Sequence, residues 1–342
     1  MMTNSLSDRT YLFNRHRLSH QQIDRWLGEN RSKEFVQEKL KQLDAVKNFL
    51  SVTDLLTQNG ISFICIKGPL LSNRIYGDPT VRLSHDIDIL IETAVIEPVM
   101  KILFQNGYHL TTGSIWPLKK AQQELLIDVI HHLSFYNQQL YLCVEVHWVL
   151  MHELPISSKK QKELIAGNLT EVDFAGRNFT VLTKEFELLF LIIHGAKHGW
   201  NRLKWLVDIH MYPLNKINNA RFDQLVKELK AGRMIGQINF LLSKFFNTPL
   251  PFTSDKHTPR YLLQYSIQSI DSEIPLQLSL RDYISSFRNQ YLMYPGHYYK
   301  YKMIARVFFR PLDIELIDSS FKIVYYLYRP YSLIIRRLFH VR

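Results

Sequence analysis

The chain has 342 residues, 46% hydrophobic and 21% charged, enough to bury a core in two or three compact units and unlike a disordered or fibrous protein. Lys and Arg outnumber Asp and Glu by 42 to 31, a formal charge of +11, which favours polyanionic partners: nucleic acid, nucleotides or an anionic membrane surface. No uncharged stretch is long enough to span a bilayer and the N-terminus has no signal-peptide core, so a cytoplasmic location is expected.

In chain order, Val36, Leu40, Leu43, Val46 and Leu50 recur at helical spacing over residues 33–59, and Gly60 marks the stop. Ile61–Ile66 reads as a short strand ending in Lys67-Gly68-Pro69, and Leu70–Tyr76 as a helix closed by Gly77-Asp78-Pro79. Asp86–Ile91 is the second strand and Pro98–Gly107 a further helix. His132–Asn137 and Tyr141–Val149 form a predicted hairpin joined at Gln138-Gln139. In its second strand Glu145 and His147 share one face, with Val144, Val146 and Trp148 on the other. Residues 171–182 form another predicted hairpin turning at Ala175-Gly176, followed by a helical region to about residue 250. The Pro249–Pro259 stretch is the expected linker. Cys65 and Cys143 lie in apolar runs, which favours packed thiols over a disulfide or redox pair.

The run Arg82-Leu83-Ser84-His85-Asp86-Ile87-Asp88-Ile89-Leu90-Ile91 carries the clearest chemical signal. Alternation along a strand points Asp86 and Asp88 the same way while Ile87, Ile89 and Ile91 face a core. Two carboxylates side by side repel unless a cation neutralises them, and Mg²⁺ is the usual one. A strand ending at Gly68, a helix, the Asp-x-Asp strand and a later strand bearing Glu145 have the layout of a polymerase-beta-like nucleotidyltransferase core. In such a core three carboxylates converge on two Mg²⁺ ions, with Mn²⁺ as an alternative. Asp86 and Asp88 are then the catalytic ligands of the ion that travels with the triphosphate, and Glu145 completes the second site and serves as base for the acceptor hydroxyl. The competing reading makes all three surface or cross-strand ion pairs.

Lys67-Gly68, Tyr76-Gly77-Asp78-Pro79, Arg82, Asp86-Ile87-Asp88-Ile89-Leu90, Val144-Glu145-Val146-His147-Trp148, and then His194, His198, Trp200, Arg202, Leu203, Trp205 and Asp208 resemble the uncharacterised nucleotidyltransferase family of bacteria, over roughly residues 35–335. That family is related to the polymerase-beta superfamily and is often encoded in bacterial biosynthetic clusters. The resemblance implies an α+β fold, a nucleotidyltransferase core with a small mixed sheet and flanking helices, plus a helical domain. It also implies Mg²⁺-dependent transfer of a nucleoside monophosphate from ATP or another NTP, with Asp86, Asp88 and Glu145 as metal ligands.

The expected organisation is an N-terminal extension (1–31), a nucleotidyltransferase domain (32–183), a helical domain (184–255) and a basic aromatic C-terminal region (256–342). Pro69 has no N–H to offer a phosphate where related enzymes have a Ser or Gly, so Lys67 beside Gly68 is the expected point charge there. Ser72 lies too far along the helix to replace that hydroxyl. Arg82 is expected at phosphate or paired with Asp78 or Asp86, and His85 as a packed or solvent-facing residue. His194 and His198 share a helix face; His198 and Arg202 are candidate nucleotide contacts with Trp200 or Trp205 stacking, against domain packing as the alternative. Asp208 is expected to orient His or Arg neighbours.

The acceptor is expected to be a small molecule, saccharide or peptide rather than nucleic acid. Residues 288–342 hold ten Lys and Arg against three Asp and Glu among many aromatics, which fits core packing or peripheral contact with a membrane or partner protein. Two further functional readings stay open: a catalytically inactive binding or scaffold protein of the same fold, and an Asp-x-Asp glycosyltransferase. The latter is disfavoured because a single strand precedes Asp86.

Overall fold

A computed structural model describes residues 4–30, 32–84, 86–111, 120–151, 154–252, 257–273, 279–311, 314, 317, 319 and 321–339. In chain order its elements are α1 (Arg9–His16), α2 (His20–Leu27), α3 (Lys33–Gln58), β1 (Ile64–Cys65), α4 (Gly68–Tyr76), β2 (Asp86–Leu90), α5 (Ile96–Gln105), β3 (His109–Leu110), α6 (Lys120–Val129), β4 (His132–Asn137) and β5 (Leu142–His147). They continue with α7 (Ser158–Ala166), β6 (Leu169–Phe174), β7 (Arg177–Leu182), α8 (Lys184–Lys197), α9 (Leu203–His210), α10 (Asn219–Glu228), α11 (Gly232–Phe246), α12 (Arg260–Asp271), α13 (Leu280–Met293), α14 (His297–Phe309) and α15 (Lys322–Phe339). Among the described residues the strands form one seven-stranded mixed sheet in the order β3-β4-β5-β2-β1-β7-β6, so the fold is α+β as expected.

The chain divides into two interleaved compact units. One takes in Met1–Leu55, Ile64–Ile87 and Leu154–Pro295; the other takes in Leu56–Phe63, Asp88–Glu153 and Gly296–Arg342.

In the first unit β1 runs parallel to β7, and β7 turns back antiparallel to β6 through Ala175 and Gly176. Both turn residues have positive φ, 53° and 72°, the requirement of the two-residue turn whose twist matches that of the strands. Helix α8 starts with Glu185 and Glu187 and ends with Lys197, the charge order its dipole favours, and its buried Phe186, Leu189 and Ile193 face the core. Inside that core Glu187 pairs with Arg74 at 3.3 Å and accepts from the Tyr212 hydroxyl at 2.6 Å.

Residues 1–31, expected as an extension, carry two capped helices. The Ser19 hydroxyl and the Gln22 amide form a reciprocal capping box at the start of α2. The expected linker is packed where it is described: Leu250 and Phe252 are buried and the Phe252 ring lies 4.1 Å from that of Phe222. Its residues 253–256 lie outside the described residues.

His16, at the end of α1, is fully buried and accepts at Nδ1 from the Leu203 backbone N–H at the start of α9. Burial, aided by the Arg15 charge, lowers its pKa to about 3. The folded chain keeps His16 neutral where the unfolded chain, near pH 6.5, takes up a proton. Its contribution to stability is complete above pH 6.5 and falls by up to about 1.4 kcal/mol per pH unit toward pH 3. Glu38, raised to about 7 by burial, has the opposite slope, so the diagnostic measurement compares two proteins. Urea unfolding at several pH values should show a shallower acid loss in His16→Asn, whose amide oxygen can still accept from Leu203. Parallel profiles would contradict this origin.

In the second unit β4 and β5 pair antiparallel from His132↔His147 to Asn137↔Leu142. The connection is therefore Gln138–Tyr141 rather than the Gln138-Gln139 pair, because Asn137 Oδ1 accepts from the N–H groups of Gln139 and Leu140 and Tyr141 takes φ 50°. On β5 Leu142, Val144 and Val146 are buried while Glu145 and His147 share the opposite face. Trp148 follows and donates its indole N–H to the Ile127 carbonyl.

The C-terminal aromatics divide between core and surface. Tyr325 is buried with Leu125, Leu126, Val129 and Ile314, and Tyr299 is also buried, whereas Tyr298, Tyr301, Phe308, Phe309, Ile323 and Leu327 are exposed. Among the described residues no helix is long and apolar enough to cross a membrane.

Candidate active site

Strand β2 starts with an exposed Asp86 and then buries Ile87, Asp88, Ile89 and Leu90. Asp88 is 3% exposed, a depth at which an ionised carboxylate needs partners. They come from β5. His147 Nε2 stands 3.1 Å from Asp88 Oδ1 and 3.3 Å from Glu145 Oε2. The edge is fixed by backbone pairing, since the Ile91 N–H donates to the His147 carbonyl at 2.8 Å. Behind His147 the ring of His132 stacks at 4.9 Å and 28°. Asp88 and Glu145 are thus brought together, and His147 rather than Asp86 is the third member of the group. His85 lies outside the described residues.

The donor set suits a divalent ion. One carboxylate oxygen each from Asp88 and Glu145 and a nitrogen of His147 lie within 4.8 Å of one another. Two ligands each about 2.1 Å from one ion are separated by roughly 3 Å at right angles and about 4 Å when opposite, so these three side chains can share an ion without rearrangement of the strands.

The first unit supplies a group of cations around Asp86. Lys67 ends the turn after β1, and Gly68 follows at φ +74°, a left-handed conformation that favours glycine. An added Cβ there would already touch the Ser84 Oγ at 3.6 Å and the Asp86 carbonyl at 4.0 Å. Arg202 sits at the N-cap of α9, with its guanidinium 5.9 Å from the Trp205 ring. Burial and the Arg17 charge lower the Arg202 pKa, and Asp86 opposes that shift.

Lys204, in the first turn of α9, is brought down to about 7 by desolvation and then by the charge of Arg82, with Lys67 adding to it and Asp208 and Asp86 opposing. Nothing local in the sequence marks Lys204, because its neighbours come from β1, β2 and the loop between α4 and β2.

His198 lines a cavity of about 620 Å³ together with Arg15, Lys197, Tyr265, Ser269 and Arg281. Its ring is accessible from the cavity yet crowded by protein. Desolvation, then Lys197, Lys67 and Arg202, lower its pKa to about 4. The His194 and His198 rings are 4.7 Å apart and both contact Trp205, at 5.4 and 5.2 Å.

Arg82 is close enough to this group for the Asp86 charge to act on it. It is 5% exposed and donates through Nε to Asp208 Oδ2 at 2.8 Å, while the Tyr76 hydroxyl donates to Asp208 Oδ1 at 2.7 Å. Asp208 therefore orients an arginine, as expected, and Asp78 is held by Lys39 and Thr80. Ser72 donates to the Asp78 carbonyl and accepts from the Arg82 N–H, which gives it a structural role.

The mixed sheet places the Asp-x-Asp strand next to a strand bearing a further acid. The chain belongs to the family described as "Uncharacterised nucleotidyltransferase", which matches residues 12–247, more than half of its length. It is a transferase, and nucleotidyl transfer from an NTP is the chemistry that family defines. Among solved structures, the chain is similar to a lincosamide antibiotic adenylyltransferase, LnuA, crystallised with lincomycin bound, at 16% identity and a TM-score of 0.30, covering 42% of this chain and 84% of that one. No curated protein matches the chain.

Proposed function

We propose that the chain moves a nucleoside monophosphate from an NTP to a hydroxyl or phosphate acceptor, with release of pyrophosphate, in a reaction that depends on divalent ions. The convergence of Asp88 and Glu145 on the face they share with His147 carries this reading. Bound there, divalent ions would supply charge neutralisation for the phosphate groups. Asp88 and Glu145 would hold the protein's own ion, and Asp86, two residues earlier on the same strand, would take the Mg²⁺ that comes with the triphosphate. Glu145 accepts the proton of the acceptor hydroxyl. Lys67 and Arg202 receive the triphosphate as positive charges, in place of the N–H that Pro69 lacks.

The test is NTP binding and pyrophosphate release by the full chain, with and without divalent ion, in wild type and in Asp86→Asn. Ion-dependent binding that weakens in Asp86→Asn is the expected result. Equal affinity with and without the ion, unaffected by the substitution, would overturn the reading and favour a binding protein of the same fold.

A further inference from the structure

His147 is where the donor set departs from carboxylates alone. Its Nε2 is 3.1 Å from an oxygen of Asp88 and 3.3 Å from an oxygen of Glu145, the spacing of adjacent ligand atoms around one ion. The ring is held there by register and stacking. His147 pairs with His132 across the hairpin, the two rings lie 4.9 Å apart, and the His131 ring is 6.3 Å from that of His147. Strand alternation gives Glu145 and His147 the same face, so Nε2 meets both carboxylates without a change in the strands.

We propose that His147 ligates the protein-held ion through Nε2, and that this nitrogen makes the site select Mn²⁺ over Mg²⁺. The inference rests on the ion-dependent reading above and adds the identity of the ion. Mg²⁺ is small and hard, dehydrates reluctantly and keeps to oxygen ligands in near-ideal octahedra. A fixed imidazole beside two carboxylates offers it one ligand of the wrong kind. Mn²⁺ takes the same carboxylate and water oxygens as Mg²⁺ but belongs to the first-row metals, whose affinity order covers sites with nitrogen donors as well. Two carboxylates and a neutral imidazole leave the remaining positions of an octahedral ion for water and phosphate oxygens, as a phosphoryl-transfer site needs.

The test is Mn²⁺ added to the full chain, with binding measured by calorimetry and bound ion examined by pulsed electron paramagnetic resonance. The wild type should show nitrogen-14 coupling of a directly ligating imidazole. It should also bind Mn²⁺ at least about tenfold more tightly than Mg²⁺, and His147→Gln should lose the coupling and narrow that ratio. Should His147→Gln not fold, His147→Glu, which keeps an oxygen donor, makes the same assignment.

Bound Mn²⁺ without nitrogen coupling, or coupling and preference unchanged in the variant, would overturn the role of His147 and leave the carboxylate site standing. Failure of the wild type to bind Mn²⁺ at all would overturn both.

Discussion

Asp208→Ala should lower the free energy of unfolding by about 3–5 kcal/mol, measured by urea denaturation near neutral pH. Asp208 is 1% exposed and accepts from Arg82 at 2.8 Å and from Tyr76 at 2.7 Å, and Tyr76 in turn accepts from the Gln22 amide at 2.9 Å. Four residues from four stretches of chain meet in one buried network. Alanine leaves the Arg82 guanidinium as an uncompensated buried charge, and Lys204 nearby is already held down to about 7 by desolvation and by the Arg82 charge. Both cations then lose the counter-ion that Asp208 supplies.

Replacing the pair together, Arg82→Met with Asp208→Leu, should recover most of the loss, because the penalty comes from one unmatched charge rather than from a missing attraction. A loss below about 1 kcal/mol in Asp208→Ala, accompanied by weakened NTP binding, would instead return Arg82 to the phosphate role expected from sequence.

Asp88→Asn should reduce pyrophosphate release from NTP, with water or a supplied hydroxyl compound as acceptor, by on the order of a thousandfold or more. A metal ion contributes several kcal/mol of charge stabilisation in phosphoryl transfer, and each 1.4 kcal/mol is about tenfold in rate. Asparagine keeps the shape of the side chain and one carbonyl oxygen for His147, so folding should survive. Removing the charge of the buried Asp88 also relieves its repulsion with the part-buried Glu145 in the ion-free chain. The diagnostic combination is therefore lost turnover with a melting temperature unchanged or raised. Turnover at the wild-type rate would remove Asp88 from the mechanism.

Features set by local periodicity were legible from the residues alone. The Asp-x-Asp strand, the shared face of Glu145 and His147, the Ala175-Gly176 hairpin and the α8 helix all follow from alternation, helical spacing or turn chemistry within a dozen residues. What escaped depends on long-range pairing. His147 was visible as a neighbour of Glu145 on β5, but its place at Asp88 requires β5 to lie next to β2, which no short window encodes. Arg82 and Asp208 are 126 positions apart, so its nearest acids in sequence were the natural but incomplete candidates. The capping box Ser19-x-x-Gln22 is a local signal for α2, but a weak one, because no apolar run of length follows it.

The interleaving of the two units has a consequence for synthesis on the ribosome. The first unit is not complete until Pro295 has been made, and the second closes only with the C-terminal residues. The Asp86–Leu90 strand contributes its first two residues to the first unit and its last three to the second, so at about 5–20 residues per second it waits roughly 10–50 s for the remaining chain of the two units. During that interval its alternating isoleucines are an unshielded β-prone segment. Charges that interrupt such a run work against aggregation, and in this strand they are the carboxylates of Asp86 and Asp88.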